Sequence, residues 1–195
     1  MSYFSEHYSN VRYPIAGSSS SVGLRRPQLG AIHAIASHFT EYSDPALAEP
    51  ALVVMPTGSG KTAVLMLCPF VLQAQRVLVI TPSTYVRDQL EAQFRSLHIL
   101  KNIGALEGAV SVPIVLSQKT KIRSVDGWLN FRGVDVVIGT PNSLSPAYED
   151  VALPSSEDNI FDLILIDEAH HEPAKTWRAL ISAFPVARKV LFTAT

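Results

Sequence analysis

Residues Met55-Pro-Thr-Gly-Ser-Gly-Lys-Thr62 constrain this chain more than any other stretch. They follow the short apolar run 51–55 and precede a segment, 60 to about 74, with the pattern of a buried helix. A strand, a tight glycine loop and a helix in that order place the loop beyond the carboxyl end of a strand. Gly58 and Gly60 let the backbone curl so that successive N–H groups point at one anion. The helix that follows adds its positive amino end. Lys61 can reach the outer phosphates of a nucleoside triphosphate, and the Thr62 hydroxyl can ligate Mg²⁺. Thr57 and Ser59 complete the loop. Met55 stands where the usual pattern has a small residue.

A second loaded segment is Ile164-Leu-Ile-Asp-Glu-Ala-His170. Here an apolar strand delivers two adjacent carboxylates at its end. Asp167 can hold Mg²⁺ through the ion's water shell. Glu168 can orient or deprotonate an attacking water. His170 can sense the terminal phosphate, whereas His171 is expected at the surface. Proximity of the two motifs points to a nucleotide triphosphatase site.

The rest of the chain repeats the strand-then-helix rhythm. Strands are expected at 77–80, 112–116, 134–138, 161–166 and 189–192. Helices are expected at 26–39, 60–74 (bent at Pro69), 83–97 and 175–183. Continuous apolar strands alternating with helices predict an α/β fold, a mostly parallel sheet with helices on both faces. Residues 1–23, with Ser18-Ser-Ser-Ser21, lack apolar periodicity and read as a polar tail or a loosely docked strap. Ordered structure is expected from Leu24.

Composition excludes several classes. The chain is 47% hydrophobic and 17% charged with net charge −1, so no overall basic surface holds a polyanion. Contacts through backbone amides and a few side chains remain open. The single cysteine, Cys68, permits no internal disulfide and is expected as a small buried hydrophobe. No segment approaches the roughly 20 apolar residues of a membrane span. The amino end does not resemble a secretory signal. A cytoplasmic location is the expectation.

In order along the chain, these motifs resemble those of the first RecA-like, ATP-binding domain of superfamily 2 helicases, in the DEAD/DEAH-box group. Leu24-Arg-Arg-Pro-Gln28 is similar to the adenine-reading glutamine motif, Thr81-Pro82 to motif Ia and Gly139-Thr-Pro141 to motif Ib. Asp167-Glu-Ala-His170 is similar to motif II and Thr193-Ala-Thr195 to motif III. The resemblance implies that Gln28, with Arg25 alongside, bonds the adenine of ATP. It implies that Thr81, Pro82, Thr140 and Pro141 touch a nucleic-acid backbone, and that Thr193 and Thr195 couple hydrolysis to strand movement. The run Asp167-Glu-Ala-His-His-Glu-Pro-Ala-Lys-Thr-Trp177 looks more like bacterial restriction-type and DNA-repair-type helicases, the type III restriction subunit among them. That favours DNA over RNA as partner.

Motif VI and the second RecA-like domain lie outside these 195 residues. The resemblance implies that such a lobe completes the site in the full-length protein, and that residues 24–195 alone hydrolyse ATP weakly or not at all. Two other functions are open: a motor of a restriction or phage-defence complex that moves on duplex DNA without unwinding it, and an ATP-binding switch. Arg87, Lys119, Lys121 and Arg123 are further candidates for phosphate contact. Trp128 is expected as a core or lid aromatic, and Trp177 as packing against the sheet.

Overall fold

Two alternating sets of aliphatic side chains build one six-stranded sheet. The structure is a computed structural model; it describes residues 2–17, 22–42, 44, 47–148, 150–152, 154, 159–169 and 174–194. In chain order the elements are α1 (Tyr3–Glu6), α2 (Arg26–Thr40), β1 (Ala51–Val54), α3 (Lys61–Val71), β2 (Val77–Ile80), α4 (Thr84–Ser96) and α5 (His98–Asn102). Then come β3 (Val115–Gln118), α6 (Val125–Leu129), β4 (Val136–Gly139), α7 (Pro141–Leu144), β5 (Leu163–Ile166), α8 (Ala174–Ala183) and β6 (Arg188–Thr193). The strand order is β1-β6-β5-β2-β4-β3, and every pairing is parallel.

Side chains alternate across a strand, so each strand feeds both faces. Val77, Val79, Leu163 and Leu165 join the larger core, under α2, α3 and α4. Leu78, Ile80, Ile164 and Ile166 join the second, with Trp128 of α6 and Phe184 after α8. Trp128 is therefore a core aromatic, edge-on to Phe184 at 5.4 Å, and its indole N–H donates to the Ala152 carbonyl. Cys68 is buried in α3, and burial pushes its thiol pKa up. No helix among the described residues is long and apolar enough to cross a membrane.

The sheet is not equally covered. Edge strand β1 buries Val53 against the first core but leaves Leu52 64% and Val54 58% exposed on the other face. Leu191 of β6 lies beside Leu52 in register and is half-buried.

Two expectations need correction. The polar segment expected to be a tail is docked along residues 2–17. Phe4 is buried edge-on to Phe70 at 4.9 Å, and Ser2 Oγ donates to the Ala74 carbonyl. Further along, Arg12 N donates to Ala105 O, and Leu24 N to Pro14 O. One large aromatic and long-range backbone bonds hold the segment, neither of which leaves a periodic trace in sequence. Removing the ring in Phe4→Ala is expected to cost about 3–5 kcal/mol. The losses should appear as a lower urea midpoint and earlier proteolytic cutting before Leu24; an unchanged midpoint would mean the docking contributes nothing.

The third strand is also displaced. It runs 115–118 and not 112–116, because Pro113 has no N–H for a ladder and Val112 and Ile114 face solvent.

Candidate nucleotide site at the carboxyl edge of the sheet

Beyond the carboxyl ends of the strands, backbone bonds continue from motif to motif. Met55 N donates to Thr193 O and Ala169 N to Phe192 O; Asp167 N donates to Ile80 O and Thr81 N to Gly139 O. Loops distant in sequence are thus sewn side by side.

The glycine loop turns as its residues require. Gly58 has φ +79° and Gly60 +89°, both in the left-handed region. Gly60 caps α3, so Lys61 and Thr62 lie in the helix's first turn. Behind them, residues 63 to 70 of α3 are all buried, which mounts the loop on a helix packed on every side. Ser59 Oγ is buried without a hydrogen-bond partner among the described residues.

Gln28 ties the adenine-motif candidate to this loop. Its Oε1 accepts from Arg25 N at 2.7 Å, and its Nε2 donates to Gly60 O at 3.0 Å. Arg25 Nη1 donates to Gly58 O at 2.8 Å. Gln28 is buried with both ends of its amide engaged, which sequence did not reveal; one amide proton remains for a ligand. A Cβ on Gly60 would lie 2.2 Å from Gln28 Nε2, whereas one on Gly58 would meet nothing. Alanine in either left-handed position costs about 1–2 kcal/mol, roughly 2–8 °C in Tm for a chain of this size. Gly60→Ala is expected to fall below Gly58→Ala in a melting scan, because only it also breaks the Gln28 contact; equal melting temperatures would refute that.

The two loaded motifs meet. Lys61 Nζ donates to Glu168 Oε1 at 2.5 Å, across 107 residues of sequence. Glu168 has φ +52°, a strained backbone for a non-glycine residue, of the kind found where structure over-determines a side chain's direction. Asp167 Oδ1 accepts from Glu168 N at 3.1 Å. Burial raises the Asp167 pKa, Glu168 raises it further, and the Lys61 ammonium offsets part of this. Among the described residues no cluster of three His, Cys, Asp or Glu could hold a metal ion alone. Any divalent cation here needs ligand oxygens and water beside Thr62 and Asp167, the way Mg²⁺ is held.

The remaining candidates divide. His170, His171 and Thr195 lie outside the described residues, as does the side chain of Trp177. Thr193 is buried with its carbonyl on Met55 N. Thr81 is buried and its hydroxyl donates to Ser83 O; Thr140 and Pro141 are buried, Thr140 as the cap of α7. These three side chains therefore do not face a strand passing over the edge. Pro82 is half-buried, and the exposed neighbours are Ser83, Thr84, Tyr85 and Asn142. Arg87 is no free cation either: it is buried, with Nε and Nη2 on Asp88 Oδ1.

A parallel sheet with a glycine loop, its lysine and a facing acidic pair at one edge defines a RecA-like, phosphate-loop helicase domain. The chain belongs to the family described as "Type III restriction enzyme, res subunit", whose family model matches residues 21–195. No curated protein matches it at a significant level. Among solved structures it is similar to the UvsW helicase from bacteriophage T4, with TM-score 0.58 and 16% identity over 98% of this chain and 59% of that one. A second T4 UvsW structure gives TM-score 0.59 and 17% identity over 98% and 34%. A hypothetical ATP-dependent RNA helicase from Sulfolobus tokodaii gives 0.58 and 19% over 100% and 51%. At such identities the likeness is one of fold, and this chain spans between a third and three-fifths of those chains' lengths.

Proposed function

We propose that the chain is the ATP-binding lobe of a nucleic-acid-dependent ATPase that unwinds or moves along DNA. The observation that carries this is the Lys61–Glu168 contact, which brings the phosphate-loop lysine to the acidic pair at the amino end of α3. Loop amides and Lys61 bind the phosphates, and the spare proton of Gln28 reads adenine. The unpaired Ser59 hydroxyl and the open space over Gly58 suit a phosphate chain. Thr62 and Asp167 hold Mg²⁺, which neutralises phosphate charge. In this reading the terminal phosphate competes for the Lys61 ammonium and releases Glu168 to orient water and take its proton. Thr193, bonded to Met55, passes the change to the neighbouring strand ends. His170 and Thr195 keep their proposed roles of phosphate sensing and coupling. A second RecA-like lobe in the full-length protein supplies the missing cation of the site, and the protein works in the cytoplasm.

The test is ATP hydrolysis by the protein with single-stranded DNA, duplex DNA or RNA, beside Lys61→Ala. Stimulation by DNA, abolished in the variant, is the expected result. Stimulation by RNA alone would reverse the choice of substrate, and nucleotide binding without hydrolysis on any of them would leave a switch. The family match also favours translocation on duplex DNA. Triplex displacement without strand separation would select that reading.

A further inference from the structure

The carboxyl edge has two halves. The β1, β6 and β5 ends carry the glycine loop, Thr193 and the acidic pair. The β2, β4 and β3 ends carry three other segments: 81–86, 139–145 and 118–125. These three contain Lys119, Lys121 and Arg123 and not one carboxylate. In a chain of net charge −1 that is a local excess of positive charge.

The loop bearing the cations is held in place. Ile122 is buried between Lys121 and Arg123; its N–H donates to Ser143 O, and its carbonyl accepts from Ala152 N. Ser143 Oγ donates to Gln118 O, and Gln118 Nε2 donates to Thr120 O. Lys119 and Arg123 are exposed, and the loop borders a cavity of about 300 Å³ lined by Gln118, Lys121, Arg123 and Asn130. A loop pinned at its centre to the end of β4 presents its cations at low entropic cost.

An independent feature lies on the same half. Tyr85, in the first turn of α4, is 78% exposed, more than any other large apolar side chain described. Helix α4 packs on β3 and β4, and its capped amino end projects from the β2 end beside those segments. Single exposed apolar residues are ordinary, but an outward aromatic on an acid-free, basic edge has the makeup of a single-strand platform: cations for phosphates and a ring for a base.

We propose that the β2-β4-β3 half of the edge seats one strand of nucleic acid, with phosphates along Lys119, Lys121 and Arg123 and one base stacked on Tyr85. This rests on, and deepens, the nucleic-acid reading of the previous section. It also moves the contacts from buried Thr81, Thr140 and Pro141 to exposed neighbours.

The test is fluorescence anisotropy of labelled twenty-nucleotide oligo-dT, oligo-rU and an abasic DNA strand over a range of salt. It is run beside titration with a fluorescent ATP analogue. Tyr85→Ala is expected to weaken oligo-dT binding by roughly 5- to 150-fold and to leave abasic-strand binding unchanged. Lys119→Ala combined with Arg123→Ala is expected to reduce the log–log salt slope by about 1.4, two phosphates' worth. The ATP analogue is expected to bind all variants equally. Retention of oligo-dT affinity in Tyr85→Ala, an equal loss on the abasic strand, or an unchanged salt slope would overturn the proposal. So would a wild-type protein that takes the analogue but neither oligomer. Binding with the expected properties in a protein that takes no nucleotide would uphold the strand seat and sink the ATPase reading. The two oligomers separate DNA from RNA.

Discussion

Lys61→Ala is expected to lose roughly ten- to hundredfold in ATP affinity and all stimulated turnover. A charge-assisted hydrogen bond contributes about 1.5–3 kcal/mol, and each 1.4 kcal/mol is a factor of about ten in affinity. The side chain stands in the first turn of α3, where the helix's positive end and the loop amides already favour an anion. Its partner in the structure is Glu168, so truncation also takes the ammonium from that carboxylate and from Asp167, whose pKa it holds down. Isothermal titration with a non-hydrolysable ATP analogue and a melting scan separate the two effects. Retained affinity in a folded variant would show that Lys61 serves the ion pair and not a phosphate.

Glu168→Gln is expected to behave differently: turnover falls by about 10²–10⁴, while affinity for ATP holds or improves. Glutamine keeps the shape and can still accept from Lys61, but it cannot take a proton from water. Its amide also competes less strongly than a carboxylate for the lysine, so an incoming phosphate displaces it more easily. The substitution leaves the left-handed backbone at φ +52° as it is, since both side chains are identical at Cβ and Cγ. Single-turnover hydrolysis and equilibrium binding on the same sample decide the matter. Equal losses of affinity and rate would make Glu168 a binding group, not the base.

How much of this was legible depended on the kind of constraint each residue carries. The parallel strands were readable because both faces of each are buried, so 77–80 shows as an unbroken aliphatic run. The glycine loop was readable because φ near +80° excludes most side chains. The docked segment 2–17 was not, since Phe4 and the Ser2–Ala74 bond act across long separations with no period. Strand β1 read as buried on both faces, yet Leu52 and Val54 face solvent, because an apolar residue type does not say whether a neighbouring element covers it. The same limit applies to Thr81 and Thr140: the motif names the residue, and the cap and turn bonds that point each hydroxyl inward appear only in three dimensions. Tyr85 was passed over because it sits on the polar face of α4, where no pattern singles out an aromatic.

Helix α3 carries a mechanical consequence. Eight successive residues, from Ala63 to Phe70, are closed in by neighbours, and a close-packed interior gives little under load. The phosphate loop is therefore an anvil: a triphosphate that lands on it finds a seat that does not recoil. Displacement has to appear at the thin end of the lever, in the turns that overhang the strand tips, where Glu168 already sits in a strained backbone.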